Sequence, residues 1–222
     1  MNIKLVSAAV VLAGTSLASA GYISEYNDAT GDVFDPGLSN LDISSVGINH
    51  DADNVYMTIE MNGYIGTATD GPNWGKYMIA IDAYGGGGSD NPWGRNVSYG
   101  GVEADRFIGT WIDNGGGITG YGHFNGWYSD DSGLSSTSDD YSITVTISRD
   151  WLGADVTSFN FDVMTTGNGA DPGIDHLSRS DLSTTGWGET STSGAFLTYN
   201  LPAPGAIALL GIAGLAGSRR RR

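Results

Sequence analysis

Three carboxylates, Asp28, Asp32 and Asp35, fall within eight residues in the stretch Asp28-Ala-Thr-Gly31-Asp32-Val-Phe-Asp35-Pro-Gly37. Asp, Gly and Pro at these spacings make tight turns. Turns can bring several carboxylate oxygens onto one hard cation, so Asp28, Asp32 and Asp35 are candidate ligands for Ca²⁺. The competing reading is that each Asp caps its own turn. Asp51, Asp53 and Asn54 form a second acidic group, and Asp171 and Asp175 a third. None has the twelve-residue loop closed by Glu that marks an EF-hand.

The second chemistry on offer is ring stacking. Sugar binding needs exposed aromatic platforms with polar neighbours, and a tryptophan offers the largest face. Trp74 (in Gly-Pro-Asn-Trp-Gly) and Trp93 (in Asn-Pro-Trp-Gly) lie in turn-rich stretches, where a large ring has little to pack against; Trp187 lies in a long loop. Trp74, Trp93 and Trp187 are therefore the candidate ligand-binding residues. The alternative for each is to close its loop against the rim of the domain. Trp111, inside an alternating segment, and Trp151, after a turn, read as core or rim.

Catalytic signatures are not found. The chain has no Cys, no Gly-x-Ser-x-Gly elbow, no His-Glu-x-x-His helix and no phosphate loop. Glu25, Glu60, Glu103 and Glu189 are the only four glutamates. Covalent haem attachment requires Cys, and nothing sets a His–Met pair apart. The expectation is a protein that is not an enzyme.

Charge narrows the partners. The formal net charge of the 222 residues is −15. Between Gly21 and Leu201 five basic residues face all 25 acidic ones, a local net charge of −20. Such a surface repels nucleic acid and anionic lipid, and suits divalent cations, neutral sugars or plain solubility. Without Cys, an exported chain must draw its stability from packing, with or without a metal, rather than from disulfides.

The two ends carry addresses. Met1 to Ala20 reads as a secretory signal peptide: Lys4, an apolar centre from Leu5 to Leu17, then Ala18-Ser19-Ala20 with small residues at the −3 and −1 positions of cleavage. At the other end stand Pro202-Ala203-Pro204-Gly205, an apolar run from Ala206 to Ala216, and Arg219, Arg220, Arg221 and Arg222. Eleven helical residues rise ~16 Å, about half of a ~30 Å hydrocarbon core. The arginines would stay in the cytoplasm, so this short apolar helix can hold an exported chain at the inner membrane transiently. The prolines leave an extended backbone in front of it.

Between these ends, residues 21–201 read as one β-domain. Alternating or apolar runs predict strands over Leu41–Ile48, Val55–Met61, Lys76–Asp82, Arg106–Ile112, Ile118–Tyr128, Tyr141–Ser148, Ser158–Thr165 and Phe196–Leu201. Val55, Met57, Ile59 and Met61 share one face, as do Tyr141, Ile143, Val145 and Ile147. Asp51–Asn54 is a hairpin turn. Ser129–Asp140 and Asn168–Gly188 read as loops, and Arg149–Gly153 as a single helical turn. Short strands, many glycines and no long helix predict an all-β fold, an antiparallel β-sandwich.

The order Pro-x-Pro, short apolar helix and terminal arginine cluster closely resembles the PEP-CTERM sorting signal, with Ala203 where the family motif has Glu. That resemblance implies processing by an exosortase-type enzyme at the inner membrane of an exopolysaccharide-producing bacterium. The body resembles the DOMON-like superfamily and, within it, family 9 carbohydrate-binding modules. The matching pieces are Asp28-x-x-Gly31-Asp32, Leu41-Asp42-Ile43, Asp51-x-Asp53-Asn54-Val55-Tyr56, Ile147-Ser-Arg-Asp-Trp-Leu152-Gly153, Phe161-Asp162-Val163, and Asp175-His176 before the loop carrying Trp187. This implies a jelly-roll-like sandwich with a structural calcium at the first acidic group. Two functions follow as expectations: a cell-surface or extracellular module that binds polysaccharide, or a structural, adhesive matrix protein with no small ligand.

Overall fold

The computed structural model describes residues 23–66 and 74–201. The signal peptide, with Ala18 and Ala20, and the sorting signal, with Pro202, Pro204 and Arg219 to Arg222, lie outside the described residues. Among the described residues no helix is long and apolar enough to cross a membrane.

The chain is an antiparallel β-sandwich. Its strands are β1 (Ser24–Asn27), β2 (Ile43–His50), β3 (Asn54–Met61), β4 (Lys76–Asp82), β5 (Val97–Ser98), β6 (Arg106–Trp111), β7 (Gly117–His123), β8 (Trp127–Ser129), β9 (Leu134–Ser138), β10 (Ser142–Ser148), β11 (Ser158–Thr166), β12 (Gly173–His176), β13 (Ser191–Thr192) and β14 (Leu197–Asn200). One sheet runs β1-β2-β3-β10-β9. The other runs β12-β11-β4-β6-β7-β8, with β14 paired to the far half of β11. Among the described strands the short β5–β13 pair is parallel, extended by a parallel bridge between Asn96 and Pro172.

Alternation builds the core. Val55, Met57, Ile59 and Met61 of β3 are buried, as are Ile143, Val145 and Ile147 of β10, and they meet Tyr77, Ile79, Ile81, Ile108, Phe161 and Val163 from the opposite sheet. Tyr141 departs from the expected inward face: it precedes β10, is exposed, and packs edge-on against Tyr64 at 5.9 Å. Two stretches expected to be loops contain strands. Leu134-Ser-Ser-Thr-Ser138 has no apolar period, yet it pairs in register with β10 as an edge strand. Gly173–His176 pairs with the end of β11 across a bulge.

The second sheet is covered on both faces. Met78, Ala80, Phe107 and Met164 point away from the sandwich core and are covered by Val97, Tyr99 and Ala104, with Trp93, Trp127 and Phe196 packed alongside. This outer layer explains the glycine of β6. A Cβ on Gly109 would stand 1.9 Å from a ring carbon of Trp93, so the indole lies directly on the strand.

Candidate metal centre and aromatic patch

The acidic centre is assembled by the start of β2, the end of the second sheet and the turn segment between β1 and β2. After β1, Asp28 binds its own turn through Oδ1, which accepts from the Ala29 amide at 2.8 Å. Gly31 takes a positive φ of 84° to turn the chain. Its amide donates to Asp42 Oδ2 at 2.8 Å, and the Asn62 side chain donates to the same oxygen at 2.8 Å. From the other sheet, Asp175 accepts from the Ile43 amide at 2.6 Å and from the His176 amide at 2.7 Å. Asp175 thereby ties β12 to β2.

These bonds leave oxygens over. Asp28 Oδ2, both oxygens of Asp32 and Asp42 Oδ1 are buried and have no hydrogen-bond partner. Buried polar atoms are nearly always paired, so these orphans require an account. Carboxylate oxygens of Asp32, Asp42 and Asp175 lie within 4.8 Å of one another. Asp28 adds its field to Asp175, and feels Asp32 and Asp42 in return. Burial, aided by these neighbouring carboxylates, pushes Asp28 up to about 7 and Asp175 up to about 9. Burial raises Asp32 as well. Arg179 pulls Asp32 the other way, but its guanidinium is forked onto Asp181 at 2.8 and 2.9 Å.

The residues fit a hard divalent cation. Two oxygens on opposite sides of Ca²⁺ lie ~4.8 Å apart, each ~2.4 Å from the ion. The donors are all oxygen, which disfavours zinc and copper. Asp32, Asp42 and Asp175 would hold Ca²⁺, with Asp28 adding negative charge beside them; the ion would neutralise their mutual repulsion and join the two sheets.

The three acidic residues expected to form the site divide. Asp32 joins the group, whereas Asp28 stands outside it and acts on Asp175 through its charge. Asp35 is exposed and caps the 3-10 turn Pro36–Leu41, accepting from the Gly37 amide at 2.8 Å. Asp42 and Asp175 take the other two places. The second acidic group caps the β2–β3 turn: Asp51 accepts from the amides of Asp53 and Asn54, each at 2.8 Å, and from the Tyr56 hydroxyl at 2.7 Å. Asp171 likewise caps its own loop at the Asn168 amide.

The three candidate tryptophans also divide. Trp93 is half-buried on Gly109, donates from Nε1 to Thr119 Oγ1 at 3.2 Å and carries the Arg95 guanidinium 5.5 Å above its ring. It closes the outer layer of the second sheet. Trp74 and Trp187 meet, with ring centroids 5.4 Å apart, and Phe34 stands edge-on to Trp187 at 5.2 Å. Trp187 is 39% exposed. Phe34 and Trp74 pack on Val33, Leu38, Leu41 and Ile174. Val33, Leu41 and Ile174 are the chain neighbours of Asp32, Asp42 and Asp175, so the acidic centre and the aromatic patch share one mount.

Beside this mount lies a sealed polar network. His176 Nδ1 bonds Asp162 Oδ2 at 2.9 Å, and its Nε2 lies 2.9 Å from Ser191 Oγ. The Gly173 amide donates to that hydroxyl, and Ser193 Oγ stands 3.2 Å from Nδ1 on the side that faces Asp162. The order Asp, His, Ser is that of a nucleophile relay. All three are fully buried, so no substrate can reach the serine, and the network serves to bind β11, β12 and β13 together.

Fold and site define an all-β sandwich with an oxygen-only acidic cluster at its rim and an aromatic patch mounted on that cluster. Comparison with models of known families and with curated proteins returns no match.

Proposed function

We propose that this chain is an exported, non-catalytic module of the cell surface or extracellular matrix that binds polysaccharide and is braced by calcium. The observation that carries the reading is the set of unpartnered carboxylate oxygens of Asp32 and Asp42 gathered with Asp175 within 4.8 Å of one another. Extracellular modules work at millimolar calcium, where a site of modest affinity stays filled. Calcium acts on the sugar surface through the shared mount. Holding Asp32 and Asp42 against Asp175 fixes Val33, Leu41 and Ile174, and these carry Phe34 and Trp74 beneath Trp187. The negative surface favours neutral polysaccharide over anionic polymers.

Glycan-array binding of the full-length protein tests this reading, with millimolar calcium and then with EDTA. Binding to a neutral glycan is expected. Trp187→Ala should weaken it about tenfold, and EDTA should weaken it in the wild type. Binding to no glycan, with calcium still raising the melting temperature, would leave the structural, adhesive role in its place.

The ends of the chain supply the route. The reading of residues 202–222 as an exosortase-type sorting signal has a separate test in cells. Mass spectrometry of the extracellular protein should find no peptide containing Arg219–Arg222, and removing 202–222 should change where the protein accumulates. Retention of the intact tail outside the cell contradicts processing.

A further inference from the structure

A cleft lies at the end of the second sheet opposite the acidic centre. Asp175 pairs with Thr165, which pairs with Tyr77 at the start of β4, whereas Tyr84 follows the end of that strand. The five strand steps from Tyr77 to Asp82 alone separate the two levels by ~17 Å. The cleft, of about 520 Å³, is lined by Tyr84, Asp105, Arg106, His123, Phe124 and Tyr128. That volume is within the ordinary range for small-ligand sites.

Its walls are aromatic and exposed. Phe124 is 79%, Tyr84 56% and Tyr128 46% exposed, three of the largest outward-facing rings among the described residues. They are held in place. The Tyr84 hydroxyl donates to the Leu152 carbonyl at 2.9 Å, and the Arg106 guanidinium stands 5.4 Å from its ring. Tyr128 lies over Gly122, where a Cβ would come within 2.4 Å of its hydroxyl oxygen. Phe124 is carried by the β7–β8 turn, which Asn125 and Gly126 make with positive φ.

Its polar groups have capacity to spare. Asp105 is 3% exposed; its Oδ2 accepts from the Ala83 and Tyr84 amides at 2.9 and 2.6 Å, and its Oδ1 is buried without a partner. His123 Nδ1 is also buried without a partner, its ring held 5.1 Å from Trp127. Burial raises the Asp105 carboxyl. A carboxylate acceptor, an imidazole and a guanidinium between exposed rings match a ligand with an apolar ring face and a rim of hydroxyls. A phosphate or a uronate would meet Asp105 and the acidic surface.

We infer that the cleft formed by Tyr84, Asp105, His123, Phe124 and Tyr128 is a second site for a neutral saccharide, separate from the calcium-braced aromatic patch. It rests on the reading of this chain as a polysaccharide-binding module. It shares no residue with the acidic centre, so its occupancy does not depend on calcium.

The test is affinity electrophoresis of the full-length protein in native gels containing dextran, a galactomannan, a mixed-linkage glucan or alginate. Trp187→Ala removes the first patch from the measurement. Retardation by a neutral polymer that survives Trp187→Ala and EDTA is expected. Adding Phe124→Ala or Tyr128→Ala should then weaken it about tenfold, with the melting temperature unchanged. Retardation lost with Trp187→Ala but unaffected by Phe124→Ala and Tyr128→Ala in the wild-type background overturns the cleft and leaves the first reading standing. Retardation by alginate alone overturns the neutral class. No retardation by any polymer overturns both sites.

Discussion

Asp32→Asn should stabilise the calcium-free protein and abolish its response to calcium. The two effects have opposite signs because the same carboxylates repel one another without the ion and bind it when it is present. Asp32 keeps both oxygens buried and unpartnered, and its charge acts on Asp28. Removing that charge should raise the calcium-free melting temperature at pH 8 by about 3 °C, ~1 kcal/mol. In the wild type, calcium at ~100 times its Kd should add ~2.7 kcal/mol, or about 5–10 °C. In Asp32→Asn that gain should disappear, whereas Asp35→Asn should keep it. Asp35 binds only its own turn.

The pH dependence follows from the raised carboxyls. Asp28 at about 7 and Asp175 at about 9 keep protons in the folded protein that the unfolded chain releases near pH 4. Between those limits the folded state binds more protons, so the stability of the calcium-free protein falls as pH rises from ~4 through ~9. Calcium competes with those protons, so its stabilising effect grows over the same range. Thermal scans at pH 5 and pH 8, with calcium and with EDTA, read both trends. A calcium-free protein that gains stability over that range contradicts the arrangement.

Asp162→Ala should be among the most damaging single substitutions in the described chain. Asp162 and His176 are fully buried 2.9 Å apart, and the second oxygen of Asp162 accepts from the Ser178 amide at 3.0 Å. Removing the carboxylate leaves the Ser178 amide without its acceptor and hands His176 Nδ1 to Ser193 Oγ, 3.2 Å away, at a cost of ~2–3 kcal/mol. Chemical denaturation should show a lower midpoint at an unchanged slope. Asp162→Asn, which retains an oxygen for the Ser178 amide, should recover a large part of the loss. A cost below ~1 kcal/mol for Asp162→Ala would mean that water enters the site and replaces the carboxylate.

The same residue shows where sequence reasoning stops. In Phe161-Asp162-Val163 the alternation places Asp162 on the face opposite the core, which in an ordinary sandwich is wet. Here that face is covered by residues 93–104 and the packed rings of Trp93, Trp127 and Phe196, so a polar position became a buried one. Nothing local announces a cover supplied from elsewhere in the chain. Asp42 was hidden in the same way: Leu41-Asp42-Ile43 reads as the polar step of a strand, but Asp42 sits at the mouth of β2 with its side chain turned into the centre. Asp28 and Asp32 were visible because turn residues concentrate around them. The meeting of Trp74 with Trp187 joins positions over a hundred residues apart and depends on tertiary packing alone. The strands, by contrast, were legible wherever apolar residues alternate. β9 was missed because its Ser and Thr side chains carry no period, and its partner β10 supplies the register.

Titration of the EDTA-stripped, dialysed full-length protein with CaCl₂ in a calorimeter at pH 7.5, alongside Asp32→Asn, tests the calcium-braced sandwich most directly. The arrangement of Asp32, Asp42 and Asp175, with Asp28 beside them, predicts one ion per chain, released protons, and no comparable heat in the variant. Identical titrations of the two proteins, or no calcium binding at millimolar concentration, would contradict it.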